Sequence, residues 1–296
     1  MNAPFHDPVM AAETVELLAA SRGGLFVDCT VGLGGHTRAL LEAGASRVLG
    51  LDRDPDALRA AQERLAEFGD RIELVHSDYR DLGRVLDERQ ISGIDGALAD
   101  LGVSSMQLEA EGRGFSFRRD EPLDMRMDRS RGPTAAVLLE DVGEEELANV
   151  IFQHGEERFS RRIARAIVEA RSLAPLETTG QLARIVRRAI PARGYQRIDP
   201  ATRTFQALRI WVNRELDRLD VFLGDACERL LAGARLAVIT FHSLEDRIVK
   251  HTFRALAQGR AALRILTRRP LVPGEAEIAR NPRARSAKLR AIERLA

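Results

Sequence analysis

The sequence predicts a doubly wound, mostly parallel α/β sheet interrupted by an all-helical insertion. Two observations carry this. Up to about residue 108, short β-rich runs alternate with segments of helical period, the signature of βαβ units. From about residue 144 to 218 the period is helical only, and an apolar run at 236–242 then returns the chain to the sheet. The expected strands of the first half are Leu25–Asp28, Arg47–Asp52, Ile72–His76 and Ile94–Asp100. Between the second and third, a helix over 55–68 puts Ala57, Leu58, Ala61 and Leu65 on one face. Asp28, Asp52 and Asp100 each close a strand. In an open parallel sheet the carboxyl ends of the strands form the ligand-binding edge.

After the fourth strand, 105–133 reads as a polar, glycine-rich loop. Phe159, Ile163, Ile167 and Ala170 then recur at helical spacing. Thr179 is an expected cap for a helix carrying Leu182, Ile185, Val186 and Ala189. Asp199-Pro200 reads as an N-cap followed by Pro at the first helical position. The helix it opens carries Phe205, Leu208, Trp211 and Val212 and is expected to run on through Leu219 and Phe222. Weaker strand candidates lie at 263–267 and 288–293. The expected organisation is one α/β ligand-binding domain from 1–108 and 219–296, with 109–218 inserted as a loop and helical substrate-recognition domain.

The chain has 296 residues, 45% of them hydrophobic, enough to bury a real core. Its net charge of +1 hides local asymmetry. Residues 158–218 hold fourteen arginines against five acids, and residues 254–296 ten arginines and one lysine against three acids. Basic blocks on a neutral chain point to a polyanionic partner such as nucleic acid. A bland alternative stands beside this: 43 of the 45 basic residues are Arg, and such a bias scatters arginine over any surface. Two cysteines without metal spacing fit a reducing cytoplasm. The opening MNAPFHDPVM lacks an apolar core, and no stretch approaches membrane-spanning length, so a soluble cytoplasmic protein is expected.

The chemistry concentrates around Val27-Asp28-Cys29-Thr30-Val31-Gly32-Leu33-Gly34-Gly35-His36. A strand, an acid, a glycine turn and a helix start build a nucleotide cradle, since glycine lets backbone approach a ligand closely. The spacing departs from the G-x-G-x-x-G dinucleotide pattern. With a carboxylate ahead of the turn it fits S-adenosyl-L-methionine, which has no pyrophosphate but carries a cationic amino-acid end. Asp52 can take both ribose hydroxyls of a nucleoside. In His76-Ser77-Asp78-Tyr79, Asp78 can accept the adenine amine and Tyr79 can stack, or the four residues form a plain turn.

Asp100-Leu101-Gly102-Val103-Ser104-Ser105-x-Gln107 occupies the loop that faces a transferred group in such a fold. Amino-group methyltransferases often carry Asn or Asp here, followed by Pro-Pro and an aromatic residue; this chain keeps only Asp100. A carboxylate there can hold the N–H bonds of an exocyclic amine and let a proton leave, or it can simply cap the next turn. Gln107 offers a donor and an acceptor to the same ligand. Phe115 or Phe117 can stack on a flipped base or anchor the loop. After the fifth strand, Ser243 with Asp246 resembles a capping box. The His242-Ser243 pair lacks the nucleophile-elbow glycines of a hydrolase. The basic run at 281–288 can track phosphates. Methylation at C5 of a pyrimidine needs a thiolate, and neither Cys29 nor Cys227 follows the fourth strand, which disfavours that chemistry; direct transfer to nitrogen or oxygen needs no covalent step.

Taken in order, these segments resemble the ribosomal RNA small-subunit methyltransferase H family, also called MraW. The resemblance rests on His6-Asp7-Pro8-Val9, the turn at 28–36, the stretches 50–54, 100–107 and 113–128, Gly155-Glu156-Glu157-Arg158-Phe159-Ser160-Arg161, and the stretches 200–213, 241–250 and 281–290. It implies a Rossmann-like, class I methyltransferase fold with a helical recognition insertion. The implied activity is S-adenosyl-L-methionine-dependent N4-methylation of one cytidine in the decoding region of small-subunit (16S) ribosomal RNA. The implied cofactor contacts are Gly34, Gly35, His36, Asp52, Tyr79, Asp100 and Gln107, of which His36 comes from the resemblance alone. Asp100 is also the candidate catalytic residue, and no metal is expected. Two departures stand out. Asp199 replaces the usual His of a His-Pro-Ala-Thr-Arg string, and Gly233-Ala234 replaces the usual Gly-Gly. Two other functions stay open from the residues: a methyltransferase with a different acceptor, and a non-catalytic RNA-binding assembly factor. The intact Gly34, Gly35, Asp52 and Asp100 weigh against the latter.

Overall fold

In chain order the elements are α1 (Ala11–Leu18), β1 (Leu25–Asp28), α2 (Gly35–Glu42), β2 (Arg47–Asp52), α3 (Pro55–Arg64), β3 (Ile72–His76), α4 (Leu82–Glu88), β4 (Ile94–Asp100), α5 (Ser105–Glu109), α6 (Ala135–Asp141), α7 (Glu144–Gly155), α8 (Ser160–Leu173), α9 (Thr179–Ala189), α10 (Ala201–Asn213), α11 (Leu219–Arg229), β5 (Leu230–Thr240), α12 (Ser243–Gly259), β6 (Leu263–Ile265), α13 (Glu275–Arg280) and β7 (Lys288–Arg294). This computed structural model describes residues 8–191, 199–259 and 262–296. His6 and Asp7 of the resemblance, and Arg193, Arg197 and Arg260 of the basic blocks, lie outside the described residues. Two compact units emerge, Met1–Gly102 with Leu216–Ala296, and Val103–Glu215.

The first unit holds a seven-stranded sheet of order β3-β2-β1-β4-β5-β7-β6. Strands β1 to β5 pair in parallel, and β7 runs antiparallel to both its neighbours. The strand order reverses between β1 and β4, so the crevice at their carboxyl ends is the topological switch point. Both faces of the sheet are covered, as a parallel sheet requires. Side chains alternate between two cores: Val27, Ala97, Ala99, Leu236 and Val238 join one, and Phe26, Leu98, Ala237 and Ile239 the other. Leu82, Leu86, Phe222 and Phe253 complete the first core; Leu18, Leu40 and Leu41 complete the second. Each fully buried Leu or Phe of these layers contributes roughly 1.5–3 kcal/mol from surface removed from water.

The four early strands lie where the sequence put them, but several boundaries differ. The helix expected over 55–68 ends at Arg64, and a 3-10 turn over Ala66–Arg71 containing Gly69 at φ +52° swings the chain into β3. Strand β5 starts at Leu230, six residues early, because a bulge offsets it against β4: Ile94 pairs with Leu230 while Gly96 pairs with Arg235. The long helix expected through Phe222 is two helices, α10 and α11, separated by left-handed Arg214 and Arg218.

The second unit is helical around a core that includes Leu147, Ile151, Ile163, Ile167, Leu182, Val186 and Leu208. The cap of α9 is Thr178, not Thr179: its hydroxyl accepts the Gln181 N–H while the Gln181 side chain returns the bond, a full capping box. Thr179 instead ties the helix to the preceding loop through the Arg119 carbonyl and the Glu121 N–H. That loop is firmly held. The Arg113 guanidinium donates to the carbonyls of Arg126 and Met127. Asn213 donates to the Met125 carbonyl at 2.7 Å and accepts the Met127 N–H at 2.7 Å. Phe115 is buried, and Phe117 packs edge-on against Phe205 at 4.8 Å, so both rings anchor the loop. Asp199 accepts the Ala201 N–H and pairs with Arg187 at 2.8 Å, capping α10 without a histidine. Arg158, Arg161, Arg162 and Arg165 stand exposed before and along the first turns of α8.

Candidate active site

The site is built on the carboxyl edge of the first unit, one strand end at a time. Asp28 closes β1 and is fully buried. Its carboxylate accepts from the Thr37 hydroxyl at 2.7 Å and the Thr30 N–H at 3.2 Å. Burial pushes the carboxyl above its ordinary value, against the opposing pull of His36 and these two bonds. Asp28 therefore braces the turn between β1 and α2 from beneath. The turn has no room for side chains. Gly34 sits at φ +82°, and a Cβ there would lie 2.7 Å from Leu65 Cδ1. A Cβ on Gly35 would meet the Pro8 ring at 3.2 Å.

Asp52, at the end of β2, ties the same turn to the next strand. It accepts the Gly32 N–H at 2.7 Å and the Asp54 N–H at 2.8 Å. Burial raises its carboxyl from 3.8 to about 6, although both backbone bonds oppose this. Each oxygen keeps a lone pair for a vicinal diol. Asp54 caps α3 through the Asp56 N–H, as a residue before Pro55 should.

Beyond β3 the turn alternative holds for Asp78. It caps the next 3-10 turn and grips Arg80 through both oxygens, at 2.8 and 2.7 Å. Burial works to raise its carboxyl, but Arg80 and Arg53 outweigh that and hold it below the ordinary value. Tyr79 is buried with its ring tilted against Phe222 at 4.7 Å.

Asp100 closes β4. Its N–H donates to the Thr30 hydroxyl at 2.6 Å, locking the ends of β1 and β4 together. One carboxylate oxygen lies 3.5 Å from His36 Nε2, and the other is buried without a hydrogen-bond partner. Both ring nitrogens of His36 are also buried without one, and the residue is 5% exposed. Burial opposes a charged imidazole, but Asp100, Asp28 and Glu277 prevail and set its pKa above the ordinary value. Buried polar atoms left without partners are costly in a folded chain. Here they stand beside the glycine turn, and the Asp100 oxygen suits a ligand that brings donors and positive charge, as the amino-acid end of S-adenosyl-L-methionine does. Gln107 belongs to α5, where its side chain accepts the Ser104 N–H at 3.0 Å in a capping box.

After β5 the residue that reaches back to the helix start is Glu245, which accepts the Phe241 N–H at 2.9 Å. Asp246, expected in that part, instead pairs with Lys288 at 3.0 Å and Arg290 at 2.7 Å on β7. Cys29 and Cys227 are buried, and burial pushes the Cys29 thiol well above its ordinary value, so no ready thiolate stands at β4. Three contributors were given no role of their own by the sequence: Thr30, Pro8 and Glu277, which accepts the Met10 N–H at 2.7 Å and adds negative charge facing His36. No sequence pattern links Glu277 to a turn some 240 residues away.

The sequence model of the MraW methylase family matches residues 3–295. The chain belongs to the MraW methylase family. Ribosomal RNA small subunit methyltransferase H of Geobacter sulfurreducens is 52% identical over 98% of this chain and 99% of its own. The protein of that name from Symbiobacterium thermophilum is 50% identical over 98% of this chain and 96% of its own. Among solved structures, an rRNA methylase from Streptococcus thermophilus aligns over 99% of this chain and 100% of its own, at 14% identity and a TM-score of 0.44. A methylase needs a methyl donor, and on this Rossmann-like sheet, with its acid-backed glycine turn, the donor is S-adenosyl-L-methionine. Among the described residues no helix is long and apolar enough to cross a membrane.

Proposed function

We propose that this methylase transfers a methyl group to the exocyclic N4 of one cytidine in the decoding region of small-subunit ribosomal RNA, within the ribosomal subunit. The observation that carries the choice of acceptor is Asp100, a carboxylate at the end of the switch-point strand with one buried oxygen lacking a partner. An amine is a poor nucleophile until its lone pair is aimed and its departing proton has somewhere to go. Asp100 accepts the amine N–H, turns the lone pair toward the donor and takes the proton. No ready thiolate competes for C6 of the ring, which disfavours C5 chemistry. The bound donor supplies an activated methyl group. Gly34, Gly35 and His36 cradle its amino-acid end, Asp52 takes the ribose hydroxyls, and Tyr79, Asp100 and Gln107 complete the contacts. Gly34, Gly35 and Asp52 rest on the geometry above; Tyr79 and Gln107 rest on their place in the sequence and the family resemblance.

The RNA partner is supported by the named relatives and by the exposed arginines at the start of α8. The test uses purified protein, labelled S-adenosyl-L-methionine and small subunits lacking the modification, followed by digestion of the RNA to nucleosides. N4-methylcytidine at a single site is the expected product. Unlabelled RNA despite measurable donor binding would overturn the proposal.

A further inference from the structure

His36 has no assigned task beyond touching the donor, yet its surroundings are unusual. It lies in the first turn of α2, where the helix dipole disfavours a cation. Three acids from three elements face it: Asp100 at the end of β4, Asp28 at the end of β1, and Glu277 on α13. Only Asp100 approaches closely, at 3.5 Å from Nε2, and its second oxygen is the buried one without a partner. This carboxylate is thus shared between an imidazole behind it and whatever binds in front. The donor arrives with a sulfonium and an ammonium against one carboxylate, a net positive charge. It leaves, after transfer, as a neutral thioether with the same amino-acid end.

Resting on the methyl-transfer reading above, we infer that His36 is a positioning residue acting through Asp100: it gives up its proton when the cationic donor binds and receives one through Asp100 as the methyl departs. The step balances. The amine lone pair forms the N–C bond as the S–C bond breaks onto sulfur. The N–H bond then breaks with its electrons staying on nitrogen, the proton passes to Asp100, and from Asp100 to His36 Nε2. One positive charge leaves the sulfur and one arrives on the imidazole, so the buried acids face the same net charge before and after. At an effective dielectric near 20, a unit charge about 10 Å away moves a titration by about one pH unit. The sulfonium alone therefore suffices to draw off part of the His36 proton.

The test needs no RNA and no turnover. Proton release is measured by calorimetry near neutral pH in two buffers of different ionisation enthalpy, for S-adenosyl-L-methionine and for S-adenosylhomocysteine. Imidazole titrations are followed by NMR, with His36→Gln identifying one of the six histidines. The expected result is that the sulfonium ligand releases up to about half a proton more than the thioether and lowers the His36 titration by about one pH unit. In His36→Gln the difference between ligands disappears, while both still bind. Equal release for the two ligands in the wild type would overturn the coupling and leave the methyl-transfer reading standing, as would a difference that persists in His36→Gln. Ligand-dependent release together with RNA that acquires no N4-methylcytidine would overturn the substrate instead and leave the coupling intact. In turnover, His36→Gln is expected to lower kcat by about 10-fold or more, to displace the acid limb of its pH profile, and to leave KM for RNA unchanged. A wild-type pH profile in that variant would overturn the role.

Discussion

Replacing Asp52 with Asn separates what this residue does for the fold from what it does for the ligand. Its carboxyl is raised by burial from 3.8 to about 6. The folded state therefore holds that proton more tightly than the unfolded chain does. Stability from the protonated form is fully present below the unfolded value and is lost as the pH rises through about 6. About two pH units correspond to at most ~3 kcal/mol, and partial solvent access reduces this to roughly 2 kcal/mol. The amide of Asp52→Asn would carry no charge to bury. Its NH2, however, would oppose one of the two backbone N–H groups now accepted at 2.7 and 2.8 Å, at a cost of about 1 kcal/mol. The variant is thus expected to be slightly less stable than wild type near pH 4.5 and more stable by about 1 kcal/mol near pH 7.5, a crossing of roughly 2 kcal/mol. Chemical denaturation across that range measures it. In the same variant, loss of a charged acceptor for the ribose weakens S-adenosyl-L-methionine by about 10- to 100-fold. A stability difference that does not change with pH would refute the burial argument, and an unchanged dissociation constant would refute the ribose contact.

Asp100→Asn should lower kcat by about 100-fold or more and weaken the donor as well, while the circular dichroism spectrum stays near wild type; turnover at the wild-type rate would remove the proposed role. Gly34→Ala must hold a Cβ 2.7 Å from Leu65 Cδ1 at φ +82°, so it should lose about 1–3 kcal/mol of stability and weaken the donor more than 10-fold by calorimetry. The pair Arg161→Ala and Arg162→Ala, both exposed, should leave the melting temperature within a degree or two. It should also weaken RNA binding and reduce the slope of log affinity against log salt by about 1–2, and an unchanged slope would place the RNA elsewhere.

What the sequence made legible is what local physics controls. Strands β1 to β4 carry dense apolar runs and end in acids or turn formers, so their limits agree with Leu25–Asp28, Arg47–Asp52, Ile72–His76 and Ile94–Asp100. The glycine turn announces itself because only glycine fits there. The break at Arg214 and Arg218 does not, since arginine is a good helix former and neither Gly nor Pro marks the place. Adjacent Thr178 and Thr179 offer the same cap chemistry, and tertiary contacts to Arg119 and Glu121 decide between them. The choice between Glu245 and Asp246 is likewise made on β7, by Lys288 and Arg290, some 40 residues away. At the site, the place of Asp28 ahead of the turn suggests a ligand contact. Its burial and its bonds to Thr30 and Thr37 make it a brace instead, a distinction only three-dimensional packing reveals.

The charge pattern at the carboxyl edge also explains why a glycine cradle on this kind of sheet takes one nucleotide class and not another. A pyrophosphate placed over the turn would add negative charge beside Asp52 and Asp100, whose edge already holds buried Asp28 beneath the turn. Two of these acids, Asp28 and Asp52, are already raised by burial, so their ionised forms cost stability before any ligand arrives. An anion would deepen that cost; a cation relieves it. The acids of this edge therefore favour a ligand of net positive charge over an anion.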